Sequence, residues 1–261
     1  MELTLYHLDA FASEVFTGNP AAVCPLEAWL PDEVMQAIAA ENNLAETAFF
    51  LPEGEDFALR WFTPAVEVDL CGHATLASAF VIANHLDPGR DHMRFTSRSG
   101  PLEVTREGEL YSLDFPAMRG AAVADVSALG DALGARPLEA WSAMDMMALF
   151  ASEAEVARLA PDMAKLAKLD TRGVIVTAEG AAVDFVSRFF APGSGIPEDP
   201  VTGSAHCMLT PFWAERLGRS RLSARQISPR GGDLALEARG DRVIISGRVV
   251  PYMEGTIRVP G

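Results

Sequence analysis

Two short stretches of this chain carry the residue types that could move a proton or hold an anion. The first is Asp69-Leu70-Cys71-Gly72-His73-Ala74-Thr75. The second is Asp199-Pro200-Val201-Thr202-Gly203-Ser204-Ala205-His206. Each is a turn of small and polar residues that opens onto an apolar, helix-like run. The first backbone N–H groups of a helix have no partner inside it and carry partial positive charge. Glycine there lets a ligand come close. Two such ends suit a small carboxylate, so the expected chemistry lies between the helix starts at Gly72 and Gly203. The plainer alternative is that both glycines only begin helices and that Thr202 or Ser204 caps one. The duplication described below favours a site.

Glu46 is the candidate proton carrier. It stands among Leu44, Ala45, Ala48 and Phe49, where a carboxylate would be partly desolvated and its pKa raised toward a useful range. The alternative is a solvated acid at a strand edge, the usual place for one. His73 could donate to a substrate oxygen or shuttle a proton, or simply face solvent in a first helical turn. Asp199 could orient His73 or touch the substrate, or be the acid of a common Asp-Pro turn. Asn19, held between Gly18 and Pro20, could bond a substrate carboxylate or amide, or be only a turn residue.

The elements that must position these groups follow from periodicity and punctuation. Strands are expected over 2–9, 21–24, 46–51, 57–63, 92–97, 101–106, 109–115, 174–177, 183–190, 221–228, 233–238 and 242–249. Pro31-Asp32-Glu33 starts a helix reaching about Asn43. Helices also start at Gly72, at Ser152 as N-cap, and at Thr202 or Gly203. Residues 117–136, rich in Ala, Gly and Asp, are the candidate connection between two lobes. An internal repeat supports that division. Arg60-Trp61-Phe62-Thr63-Pro64 precedes the first turn, and Arg188-Phe189-Phe190-Ala191-Pro192 precedes the second. Gly72 to Gly100 is 28 positions and Gly203 to Gly232 is 29; Gly100 to Gly108 and Gly232 to Gly240 are both 8. The expected lobes are 1–118 and 119–261, with the last residues able to pack back on the first.

Composition narrows the function. A net charge of -15 over 261 residues argues against nucleic acid, which needs a basic footprint, and against an anionic membrane surface. No apolar run approaches a membrane span and no signal peptide is expected. Three cysteines at no metal-ligand spacing point to reduced thiols in a cytoplasmic setting, with no metal expected.

Gly18-Asn19-Pro20, Asn43-Leu44-Ala45-Glu46-Thr47, Cys71-Gly72-His73-Ala74-Thr75 and Glu198-Asp199-Pro200-Val201-Thr202-Gly203-Ser204-Ala205 together resemble the motif set of the PhzF phenazine-biosynthesis family, in family order and over the whole chain. The resemblance implies an α+β fold of the diaminopimelate-epimerase-like kind: two pseudo-symmetric lobes, each a curved, mostly antiparallel sheet around a central helix. It implies cofactor-independent isomerase chemistry and a homodimer. The namesake enzyme moves a proton between ring carbons of trans-2,3-dihydro-3-hydroxyanthranilate. By motif, Glu46 matches its acid/base, and Gly72, His73, Asp199 and Ser204 match residues lining its substrate pocket. Asn19 matches an N-terminal substrate contact.

The same fold hosts racemases that set one cysteine on each side of a substrate carbon. Here the repeat places Thr202 opposite Cys71, and Cys207 on a core-facing helix position equivalent to Leu76, so no thiol pair is expected. The reading is an acid/base isomerase acting on a small anionic metabolite. Glu46, His73 and Asp199 carry the catalysis, and Asn19, Gly72, Gly203 and Ser204 bind substrate. The alternative from another class is a protein of this fold that binds a small molecule without chemistry.

Overall fold

The computed structural model describes residues 1–259. Two compact units divide the chain. One takes Met1–Asp114 together with the chain from Ser246 onward, and the other takes Phe115–Ile245. Among the described residues no helix is long and apolar enough to cross a membrane.

In the first unit, β1 (Glu2–Ala10), β2 (Asn19–Pro25), β3 (Glu46–Glu53), β4 (Asp56–Phe62), β5 (Glu67–Val68), β6 (His92–Ser97), β7 (Gly100–Glu107) and β8 (Leu110–Pro116) surround two helices, α1 (Asp32–Asn42) and α2 (Gly72–Val81). Most neighbours are antiparallel; β2–β3 and β4–β6 are parallel. Helix α1 follows from its sequence. Pro31 precedes it, Asp32 and Glu33 complement the dipole of the first turn, and Met35, Ile38 and Ala39 form its buried stripe. It ends where Asn43 turns left-handed, φ 49°, and donates to the Ala39 carbonyl. Met35 and Ile38 lie against Leu5, Cys24, Phe49 and Phe62. Each full burial of this size contributes roughly 1.5–3 kcal/mol of transfer free energy. Helix α2 is apolar on nearly every side and packs on β1, β2 and β3. One π turn, Ile82–Leu86, continues it.

The second unit holds β9 (Ala121–Ala122), α3 (Ser127–Leu133), β10 (Glu139–Ser142), β11 (Met146–Leu149), α4 (Glu153–Arg158), α5 (Met163–Leu166), β12 (Val174–Glu179), β13 (Phe185–Ala191), β14 (Ile196–Asp199), α6 (Gly203–Leu217), β15 (Arg221–Gln226), β16 (Gly232–Arg239) and β17 (Arg242–Gly247). Residues 117–136 are no bare connection. Leu129, Ala132 and Leu133 of α3 join a core with Phe150, Val156, Leu166, Val176 and Phe190; the helix is short, and its alanines and glycines dilute the period. Ser152 caps α4 as expected, accepting from the Glu155 N–H. Within α6, Pro211 has no N–H for the Cys207 carbonyl one turn back, and the Met118 N–H donates to that carbonyl instead, at 2.9 Å. Finally β18 (Val249–Arg258) pairs antiparallel with β1, and belongs to the first unit. Its Pro251 and its exposed polar residues hide it from periodicity. The proline falls at the irregularity between His7 and Leu8, where a ladder tolerates it.

The duplication extends to the pairing pattern inside each unit. β3–β4 and β12–β13 are antiparallel, β4–β6 and β13–β15 parallel, β6–β7 and β15–β16 antiparallel. The repeated arginine has a duplicated task. Arg60 Nε and Nη2 fork onto Glu67 at 2.7 and 2.8 Å, and Arg188 Nε and Nη2 fork onto Glu198 at 2.7 and 3.0 Å. Each guanidinium also lies over the phenylalanine two residues on, 5.2 Å from Phe62 and 4.9 Å from Phe190. These forks tie the short strand before each central helix to the sheet.

Arg188 further donates from Nη1 to the Val156 and Leu159 carbonyls at the end of α4. Its side chain is 12% exposed and that of Glu198 16%. Arg188→Met strands a nearly buried carboxylate and two carbonyls. It is expected to destabilise the protein by roughly 3 kcal/mol or more, read as a lower urea midpoint at unchanged slope.

Candidate functional site

Glu46 begins β3, opposite Ala21 of β2. Gly72 begins α2, and the next residue, His73, is almost fully buried. His73 Nε2 lies 3.1 Å from Glu46 Oε2, with side-chain exposures of 8% and 13%. Both side chains are thus mostly shielded from solvent. Cys71 completes the group: its Sγ is 3.5 Å from His73 Nδ1. Burial pushes the Cys71 thiol up to about 11, with the Glu46 charge adding to it and His73 opposing. Burial also works to lower His73, but charge on Cys71 and Glu46 and hydrogen bonds with both raise it well above its ordinary value. His73 Nε2 and Glu46 Oε2 are within hydrogen-bond distance, and Glu46 Oε1 has no partner among the described residues.

One thiol, one imidazole and one carboxylate also make a donor set of the zinc-binding type. Their ligand atoms all lie within 4.8 Å of one another. Cysteine spacing gave no hint of it, because only the fold brings Glu46 to the other two.

Neither central helix is capped by a side chain at its start. At α2 the N-cap is Cys71, and at α6 it is Thr202, and neither side chain bonds the first turn. The simple capping role for Thr202 is therefore absent. Its hydroxyl donates to Asp199 Oδ2 at 2.5 Å, and its N–H donates to Gln226 Oε1 at 2.9 Å. Gln226 Nε2 in turn donates to the Asp199 carbonyl. Gln226 was not foreseen, although it continues the inward positions Leu222 and Ala224 of β15. A polar residue on an apolar strand face is a readable signal of a buried tie. Gly203 is buried, yet a Cβ on it would meet nothing within 4 Å beyond its own helix and chain neighbours. Ser204 is half-buried and accepts from Arg172 Nη2 at 2.9 Å. Arg172 forks onto Asp145 at 2.8 and 2.5 Å. Neither Arg172 nor Asp145 stood out in the sequence, since 27 residues separate them in loops without a motif.

Asn19 opens β2 opposite Ala10 with no exposed surface. Gly18 before it has φ +69°, and a Cβ there would stand 2.2 Å from the Ala10 carbonyl oxygen, which explains the Gly-Asn-Pro turn.

Register also refines the asymmetry between the halves. Thr47 faces Phe62, and Val174 faces Phe190. Gly173 therefore stands where Glu46 stands in the first unit. A Cβ on Gly173 would come 2.3 Å from the Phe189 ring, so no acid fits. The thiols are equally asymmetric: Thr202 stands in place of Cys71. Burial pushes Cys24 and Cys207 up to about 12.

A mixed sheet wrapped on a buried helix, present in both units, is the build of the diaminopimelate-epimerase-like fold. The family model described as phenazine biosynthesis-like protein matches residues 8–255. An uncharacterized isomerase of Pseudomonas aeruginosa is 53% identical over 259 residues, covering 99% of this chain and 100% of that protein. The crystal structure of a PhzF-family phenazine biosynthesis protein from Enterococcus faecalis superposes with a TM-score of 0.97 at 50% identity, over 99% of this chain and 100% of that one. A hydroxyproline epimerase from Agrobacterium vitis shares the fold, with a TM-score of 0.61 at 10% identity over 98% and 92% of the two chains. This chain belongs to the phenazine biosynthesis-like family, and as a member it is an isomerase.

His206, one turn into α6, gives a pH test of this region. It is fully buried, its Nδ1 donates to the Thr202 carbonyl at 2.8 Å, and its Nε2 has no partner among the described residues. Burial lowers its pKa to about 4. The unfolded chain takes up this proton near pH 6.5 while the folded chain stays neutral. Stability from this group is therefore full above pH 6.5 and falls by about 3 kcal/mol as pH drops to 4. His206→Asn keeps a donor toward Thr202 without the titration. Its unfolding free energy should fall less steeply than the parent's between pH 6.5 and 4 in urea melts.

Proposed function

We propose that the protein moves a proton between carbons of a small anionic metabolite, by acid/base catalysis and without a cofactor. The observation that carries this is the buried Glu46–His73 pair at 3.1 Å. Glu46 Oε1 is the proton carrier: it takes hydrogen from carbon and returns it elsewhere on the same molecule. His73 holds Oε2 at hydrogen-bond distance, so the carboxylate keeps one orientation. One carboxylate serves both steps, in keeping with Gly173 at the equivalent place.

The carboxylate of the substrate is assigned to backbone N–H groups at the uncapped helix starts, with Gly72, Gly203 and Ser204 as contacts. Asp199 is assigned to orienting the substrate or relaying its proton. Asn19 is the contact with least support, because a ligand would have to reach a side chain without exposed surface. The proposal includes cytoplasmic residence, in keeping with three free thiols, and no role for nucleic acid or membrane.

The test is solvent deuterium wash-in, followed by NMR, over a panel of small carboxylates. Wild-type protein is expected to exchange one C–H position. Glu46→Gln should still bind and exchange about 1000-fold more slowly. Exchange at the wild-type rate in that variant would remove Glu46 from the mechanism, and no exchange by wild type across the panel would favour a binding protein. The resemblance to the family also carries a homodimer, expected in sedimentation equilibrium at about twice the 28.0 kDa of the chain; a mass of one chain would exclude it.

A further inference from the structure

The cluster of Asp145, Arg172 and Ser204 is more ordered than an exposed arginine requires. Asp145 is 2% exposed, and it receives Nε and Nη2 of Arg172 as a fork. The guanidinium face lies 5.7 Å from the centre of the Phe189 ring. Its remaining Nη2 hydrogen goes to Ser204 Oγ. Arg172 is thus held on two edges and one face, while its side chain stays 39% exposed. Its Nη1 hydrogens have no partner among the described residues.

Donor and acceptor accounting gives this order a consequence. An arginine has hydrogens to give and no lone pair to offer, so Ser204 Oγ must accept from it. The hydroxyl's one proton is then free to be given away. Ser204 finds no other acceptor among the described residues, and it occupies in the second unit the place that His73 occupies in the first, directly after the helix-opening glycine. Ser204 O–H and Arg172 Nη1 are left as donors, and the second lone pair of Ser204 Oγ is the acceptor that remains beside them. Because Asp145 cancels the guanidinium charge, recognition there rests on directed hydrogen bonds and not on net charge. The two donors can satisfy both oxygens of a carboxylate, whereas a carboxamide would turn its NH2 toward one of them.

We propose that Arg172, fixed by Asp145, is a positioning residue that turns the Ser204 hydroxyl proton away from itself and toward a substrate carboxylate. This rests on the reading of Ser204 as a substrate contact. The probes are anthranilate and anthranilamide, which share a ring and differ in carboxylate against carboxamide, with binding followed by calorimetry. Arg172→Gln alone would strand the buried Asp145, so the test variant is Asp145→Asn with Arg172→Gln, confirmed as folded by its melting curve. Wild type should prefer anthranilate by about tenfold, the worth of one charge-assisted hydrogen bond. The double variant and Ser204→Ala should each lose that preference. The triple variant should lose no more than either, because the residues act as one unit.

Losses that multiply in the triple variant would overturn the proposal, as would a wild-type protein that shows no preference for the carboxylate. Glu46→Gln should keep the anthranilate preference while losing deuterium wash-in. Loss of wash-in from the wild type with the preference intact would therefore sink the isomerase reading alone. Wash-in that persists without the preference would sink this one alone.

Discussion

A helix enclosed along its length has only its ends to offer a ligand. Eight of the ten residues of α2 and nine of the fifteen of α6 are buried. Their sides are spent on packing, and what remains is the amino end, with its unpaired N–H groups and partial positive charge. A serine or aspartate cap would close such an end. Here the N-cap residues are turned to other tasks: the Cys71 thiol lies against His73, and the Thr202 hydroxyl is bound to Asp199. The surrounding structure can be understood as the means of keeping those two ends open and fixed.

The fixing is done by buried polar ties. Arg60 with Glu67, and Arg188 with Glu198, hold the short strand that precedes each helix. Gln226 binds the turn from Asp199 to Thr202 at three points. Such groups are costly to bury without partners, so each tie also penalises any arrangement in which its partner is displaced. These ties specify a geometry more than they add stability.

Duplication built the frame and divergence built the chemistry. At Glu46's counterpart stands Gly173, with the Phe189 ring filling the space an acid would need. At Cys71's counterpart stands Thr202, and at His73's counterpart stands Ser204. One half therefore carries a carboxylate–imidazole pair suited to proton transfer. The other carries hydroxyls and an arginine suited to holding an anion. The second half has no thiol at the counterpart of Cys71.

Much of this was legible in the residues themselves. Helix starts at Pro31, Gly72 and Gly203, the alternating strands, the repeated Arg-x-Phe-x-Pro and the paired hairpin glycines are local signals, each decided by backbone geometry within a few positions. Their order implied two like units, and the motifs implied the family. The last strand escaped because Pro251 and its exposed residues break the alternation, and α3 because its apolar residues are few. What no local pattern could supply was contact across the sequence. Glu46 meets His73, Arg172 meets Asp145 and Ser204, and Gly173 takes the place of Glu46 in the second unit, all through the packing of elements distant in sequence. A shift of one residue turns every side chain of a strand to the opposite face. The residue types were set by the sequence alone, and their meeting was decided only when the sheets paired.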